Sequence, residues 1–238
     1  MCTFYLLATL LYFICHGNSQ EDHCFPSEFL ESLSMSMKIT KAGFHRDLHY
    51  SVQWGKVDHD VKALLVQKLP SGVYMDEYQL ETLKHDTGLE VLLDSKVDLE
   101  APEYLSSGFT ALVFLSGTHE AIIPVHGRYH RPSNSSQKWV KVDIEPPRLL
   151  LRSDQCETPS GTLHLLHRNV LSDAPCTVRN QKLCSWLEIL HLEDAGGVSL
   201  EIPVGDSSMT LSVCVGTVLT AALSCAYLLR TVWRHGTF

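Results

Sequence analysis

The sequence predicts a mainly β fold: an antiparallel, β-sandwich-like lumenal domain with one short helix, followed by a single C-terminal transmembrane helix. Three observations point there. Short segments rich in β-branched and aromatic residues recur through the middle of the 238-residue chain, several with period-two alternation. Only one stretch carries a full set of helix signals. The chain also ends in an uncharged run over residues 209–229, with basic residues directly behind it.

The first segment, MCTFYLLATLLYFICHGNSQ, has an apolar run over 4–14 and then small polar residues. The run is too short to cross a bilayer and has the length of a signal-peptide core. Residues 1–19 are therefore read as a signal peptide, cleaved near 17–19, although no Lys or Arg precedes the apolar run. At the other end, a helix over 209–229 is about 31 Å long, against roughly 30 Å of hydrocarbon. Arg230, Arg234 and His235 follow it, which puts residues 230–238 in the cytosol by the positive-inside rule. A GPI-attachment signal would stop at the apolar tail, without RTVWRHGTF behind it. The expected topology is type I: residues 20–208 lumenal or extracellular, one span, and a tail too short to signal.

All 27 acidic residues and all but two of the 19 basic ones lie between residues 21 and 208. That region is strongly negative, which argues against nucleic-acid binding, since phosphates need a positive field.

Strands are expected at LHYSVQW (48–54), VKALLVQKL (61–69), LEVLLD (89–94) and TALVFL (110–115). KWVKVDI alternates, with Val140, Val142 and Ile144 on one face. VSLEIPV (198–204) alternates likewise and is expected to form a hairpin with WLEILHLE (186–193) across DAGG. Between the early strands, LPSGVYMDEYQLETLK reads as turn and helix. Gly72 offers positive φ, Asp76 is the N-cap, and Gln79 completes a capping box. Met75 and Leu80 occupy the staple positions, and the helix covers 77–84. Exposed Tyr74 and Tyr78 beside it are candidate contact residues. EPPRLLL (145–151) is the candidate seam if the region divides in two.

Four cysteines fall in the lumenal region: Cys24, Cys156, Cys176 and Cys184. An even number in an oxidising compartment points to disulfides, with three pairings open and Cys176–Cys184 closing the shortest loop. Asn134 heads the N-x-Ser/Thr sequon, NSS, directly after Pro132 and Ser133, so it is expected to carry a glycan on a surface loop.

The stretch HGRYHRP (126–132) stands out, although histidines are also scattered elsewhere along the chain. His126 and His130 are four apart, the spacing of two metal ligands on one helical face. Pro124, Gly127 and Pro132 disfavour a helix. As a strand, Ala121, Ile123, Val125, Gly127 and Tyr129 face the core, and Ile122, Pro124, His126, Arg128 and His130 face outward. Pro124 marks an edge or a bulge. Arg128 next to the histidines opposes a cation, so the row suits an anion or a partner surface better than a metal. No G-x-S-x-G elbow, P-loop or GxGxxG occurs, and HRD at 45–47 stands without the rest of a kinase signature. No catalytic residue, cofactor or metal is assigned. A hydrolase reading would rest on His126 and His130 alone. In the span, Ser212, Gly216, Thr220 and Ser224 recur every fourth residue, a stripe that lets another helix approach closely.

The strings LPSGVYMDEYQL, VDLEAPEYL, IPVHGRYHRP, PPRLLL and EIPVG, in this order from about residue 46 to the C-terminus, resemble the PIG-X family of phosphatidylinositol-glycan biosynthesis. The resemblance implies an ER type I membrane glycoprotein, non-catalytic, that stabilises GPI mannosyltransferase I. Its partner is then the multi-span catalytic subunit that adds the first mannose to the GPI precursor from dolichol-phosphate-mannose. No cofactor or small-molecule substrate of its own is implied. The family tends to carry a cysteine where this chain has Gly127, so its disulfide scheme does not transfer directly. The alternative is a type I cell-surface ligand-binding or adhesion ectodomain, which topology, β-fold and sequon suit equally well.

Overall fold

The structure is a computed structural model that describes residues 24–117, 119–134, 137–155, 169–190, 192 and 196–236. The expected signal peptide, Cys156, and Ser135 and Ser136 of the sequon lie outside the described residues.

Among the described residues the strands form three antiparallel sheets, numbered in chain order. β1 (Ser34–Thr40), β2 (His45–Gln53), β7 (Glu120–Gly127) and β4 (Val73–Tyr74) make a four-stranded sheet in the order β1-β2-β7-β4. The larger sheet runs β10 (Asn169–Pro175), β11 (Leu183–Ile189), β9 (Arg148–Arg152), β3 (Lys62–Leu69), β6 (Phe109–Ser116), β5 (Glu90–Leu93). β12 (Val198–Pro203) and β8 (Trp139–Ile144) pair as a ribbon. Three helices accompany them: α1 (Ser27–Glu31), α2 (Glu77–Thr87) and α3 (Thr210–His235).

Period-two alternation builds one shared core. Leu48, Tyr50 and Val52 of β2 and Ala121, Ile123 and Val125 of β7 pack with Ala63 and Leu65 of β3, Val113 and Leu115 of β6, and Leu149 and Leu151 of β9. The other face of the larger sheet buries Leu64, Val66, Phe114, Leu150 and Trp186. β3 is thus covered on both sides, which is why its residues 63–66, ALLV, are apolar at every position instead of alternating. One hydrogen bond links the two layers. Tyr50 Oη donates to Gln67 Oε1 (3.1 Å), and Gln67 Nε2 donates to Lys68 O (2.7 Å) and Glu145 O (2.9 Å). Both side chains are fully buried, so each polar atom needs that partner. Burial pushes the Tyr50 phenol up, which keeps it neutral and a donor.

Two expectations, one of pairing and one of a seam, are overturned. β12 pairs with β8, with Leu200 opposite Val142 and Ile202 opposite Val140, and not with the strand across DAGG. That strand, β11, lies between β10 and β9. Alternation states which face is buried, but Val142, Ile144, Leu200 and Ile202 all belong to the same core, so it does not select the partner. EPPRLLL is no seam either: its RLLL is most of β9, in the middle of the larger sheet between β3 and β11. Cys176–Cys184 forms a disulfide, with Cα atoms 5.1 Å apart, that closes the β10–β11 hairpin. Cys24 is disulfide-bonded as well.

α2 starts where the capping residues place it: Asp76 accepts from the Tyr78 N–H (2.9 Å), and Met75 and Leu80 are buried. It runs to Thr87, longer than the expected 77–84, and stops at Gly88, whose φ of 76° is left-handed. Gly72 is not in the positive-φ region. Glycine is needed there for space, because a Cβ would lie 2.9 Å from Val142 Cγ2.

α3 continues without a break beyond residue 229 to His235 and is exposed along its length. Together with the preceding short turn Ser207–Met209 it is long and apolar enough to cross a membrane.

Candidate functional site

The row His126–Arg128–His130 sits where β7 ends. β2 pairs with β7 as far as His45 opposite His126, and β4 adds only Val73 and Tyr74 opposite Gly127 and His126. The flank of Pro124 away from β2 is therefore beyond the reach of β4, and a residue without an N–H fits there. Past Gly127 the chain follows a different support: Arg128 N donates to Gly72 O (2.9 Å) and Glu103 N donates to Tyr129 O (3.0 Å).

This change of support overturns the expected orientation. Without a ladder on both sides the period-two rule lapses after Gly127. Tyr129, expected in the core, is 72% exposed, while Arg128, expected outside, is 4% exposed. His126 does face away from the core between the sheets, but α2 roofs it, and it is buried too.

The three side chains are held by different elements. His126 Nε2 is 2.8 Å from Gln79 Oε1 on α2. With that oxygen as the acceptor, Nε2 carries the proton. The expected capping box is thus not how Gln79 is used; Asp76 caps alone and Gln79 holds the imidazole. The ring stacks on Tyr74 (centroids 4.9 Å apart, 21° between planes) and meets His45 edge-on at 4.7 Å. Burial, and then the neighbouring His45, hold the His126 pKa below the usual histidine value, against a weaker opposing pull from Asp76.

Arg128 Nη1 donates to Ala101 O (2.5 Å), and its guanidinium lies 4.8 Å from the Tyr74 ring centroid. Burial lowers its pKa, with Tyr74 and Asp98 acting the other way. Arg128 Nε and His130 Nε2 are buried without a hydrogen-bond partner. His130 Nδ1 is 3.7 Å from Glu103 Oε2, and Ser71 Oγ donates to Glu103 Oε1 (3.1 Å).

The row therefore ties α2, β4, β7 and the 98–105 segment together. An anion reaches Arg128 only if that segment moves. Among the described residues no group of three or more His, Cys, Asp or Glu side chains could hold a metal ion. Tyr74 is half-buried inside the stack and not the free contact expected of it, whereas Tyr78 is 81% exposed on α2. The sequence reading missed Tyr104 and Leu105, which are exposed in the turn that Tyr129 O supports. The acidic and proline-flanked APEYL gave no periodic signal for them.

Ser212, Gly216, Thr220 and Ser224 lie together along α3 and line a shallow groove with Val213, Thr217 and Ala221. Thr220 and Thr217 donate to the carbonyls of Gly216 and Val213, so their hydroxyls are satisfied within the helix. Asn134 is exposed, and its Oδ1 accepts from Ser207 Oγ just before α3.

These features define a class: a β-sandwich domain carried on a candidate membrane-spanning helix, its most polar cluster closed into packing that supports a surface. The chain belongs to the PIG-X / PBN1 family, whose model matches residues 41–233. It is similar to the human protein named "GPI alpha-1,4-mannosyltransferase I, stabilizing subunit", 32% identical over 214 residues, which covers 86% of this chain and 81% of the relative. The rat and mouse proteins of the same name are each 29% identical over 214 residues, covering 83% and 82% of those chains.

Proposed function

We propose that this chain is the non-catalytic stabilising subunit of a GPI α-1,4-mannosyltransferase I in the endoplasmic reticulum membrane. The observation that carries this reading is family membership across both the β-sandwich and α3. In this reading residues 1–19 direct export, residues 20–208 are lumenal, α3 spans the bilayer once and the C-terminal tail is cytosolic. Asn134 carries the glycan. The partner is the multi-span catalytic subunit, which performs the chemistry.

Partner contact is assigned to two regions. The Ser212, Gly216, Thr220 and Ser224 stripe accepts a helix of the partner at close range. In the lumen, the row His126, Arg128 and His130 acts indirectly, by holding α2 with Tyr78 and the stack around Tyr74 in place.

The test is removal and replacement. Cells lacking this chain should lose most of the catalytic subunit and surface GPI-anchored proteins, and the wild-type chain should restore both. The glycan should stay sensitive to endoglycosidase H, as for an ER resident. Exchanging α3 for an unrelated span should weaken co-purification with the catalytic subunit; undiminished binding would remove the stripe from the interface. Unchanged catalytic-subunit levels after removal would overturn the functional reading as a whole.

A further inference from the structure

The end of the β-sandwich that leads into α3 carries a group of exposed large side chains. Leu105 is 73% exposed, Tyr129 72%, Trp139 52% and Tyr104 45%. They come from separate segments, and hydrogen bonds bring those segments to one place. Ser133 N donates to Gly205 O (2.8 Å), and Ser207 N donates to Ser133 O (3.1 Å), so the 131–134 segment beyond β7 is fastened to the last residues before the helix. Lys138 O accepts from Val204 N (2.9 Å), and Trp139 lies opposite Pro203 in the β8–β12 register. The Arg131 guanidinium stands 4.4 Å from the Tyr104 ring centroid, and the turn Glu103–Leu105 hangs on Tyr129 O through Glu103 N.

The heights agree with a bilayer surface. α3 begins at Thr210, after the one-turn segment Ser207–Met209. Such a turn rises about 6 Å. The polar layer of one leaflet is roughly 5–8 Å deep. Ser133, fastened to Ser207, therefore stands at headgroup level when α3 spans the membrane. Arg131 is two residues away, and its side chain reaches the same layer.

We propose that Tyr104, Leu105, Tyr129 and Trp139, with Arg131 and Lys138 among them, form a collar that rests on the lipid headgroups around the point where α3 enters the bilayer. The composition fits that occupant. Tyrosine and tryptophan place a ring in the apolar boundary and a polar tip in water, and the two exposed cations match lipid phosphates. Continuity with α3 makes lipid the surface that this end meets first. The collar rests on α3 spanning the membrane and not on the role proposed for the subunit.

The test uses the purified full chain, reconstituted alone into phosphatidylcholine nanodiscs with or without a headgroup nitroxide-labelled phosphatidylcholine. The emission of Trp139 is obtained as the difference between wild type and Trp139→Phe. That component should fall about twofold in the labelled discs, as for an interfacial tryptophan. A tryptophan placed by Tyr104→Trp in the Trp139→Phe background should be quenched alike. Trp186, buried against the other face of the larger sheet and read in the same way as the difference between wild type and Trp186→Phe, is the reference and should not respond. Absence of quenching at either position in the lipid-only discs overturns the collar. Protection of residues 103–105 from hydrogen exchange only after the catalytic subunit is added would reassign the surface to that partner and overturn the collar equally.

Discussion

Arg128 is the residue whose loss separates a supporting role from a surface role. Arg128→Met keeps most of the buried stem and removes the guanidinium. Ala101 O then loses a charge-assisted hydrogen bond, a loss of about 1.5–3 kcal/mol, and the Tyr74 contact removes about 1 kcal/mol more. Relief from burying a cation with an unpartnered Nε offsets about 1–2 kcal/mol of this. The net is about 2 kcal/mol, concentrated on the docking of the 98–105 segment. Since about 1.4 kcal/mol is tenfold, the amides of Glu103, Leu105 and Ser106, which donate to Tyr129 O, Pro102 O and Glu103 O, should exchange about 30-fold faster. Core amides of β2 and β7 should keep their rates. Hydrogen exchange read by mass spectrometry on the full chain measures both sets at once. Unchanged exchange at 103–106 would refute the docking role. Equal acceleration in the core would show that Arg128 supports the whole sandwich instead. Lysine should not substitute, since its ammonium does not reproduce the planar group lying over Tyr74.

Two further outcomes follow from the interior. Tyr50→Phe strands Gln67 Oε1 in a fully buried position and should destabilise by about 1–3 kcal/mol in urea titrations, while Tyr50→Phe with Gln67→Leu should be less destabilised than the sum of the single changes; additive effects would mean that the two groups are not coupled. His126 is held below its ordinary pKa, so the unfolded chain binds the proton first as pH falls. The stability contributed by neutral His126 should therefore be complete above about pH 6.5 and be lost as pH drops through the lower folded-state value. His126→Gln should flatten the thermal-stability profile between neutral and mildly acid pH, and a wild-type profile without that slope would contradict the assignment.

Much of the fold was legible because it is local. β2, β3, β5, β6, β8 and β12 occupy nearly the segments that β-branched runs and alternation mark. Asp76 caps α2 as its position before the apolar pattern indicates, since a cap needs only the next two or three N–H groups. Several elements escaped, α1, β1, β4, β9 and β10 among them. β1, SMSMKIT, alternates between small polar and long side chains and has weak β composition. β9 hides behind Pro146 and Pro147, which read as a break. The C-terminal limit of α2 was missed because Lys84 and His85 resemble a finishing turn, although the left-handed Gly88 comes later. For the site, the residues of HGRYHRP were visible but their directions were not. Alternation describes a strand only while neighbouring strands hold it, and β7 loses that hold at Gly127.

The sequence by itself determined the class of fold, the uncharged helix, the start of α2 and the family strings. Each depends on residues within a few positions of one another. The tertiary structure alone decided that β12 pairs with β8, that RLLL lies in mid-sheet, and that Arg128 is buried while Tyr129 is exposed. It also brought residues 103–105, 129–134, 138–139 and 203–207 to the foot of α3. These outcomes depend on which apolar faces meet and which carbonyls accept from distant N–H groups. Several partners with the same alternation compete for each face, and the competition is resolved only when the whole core packs at once.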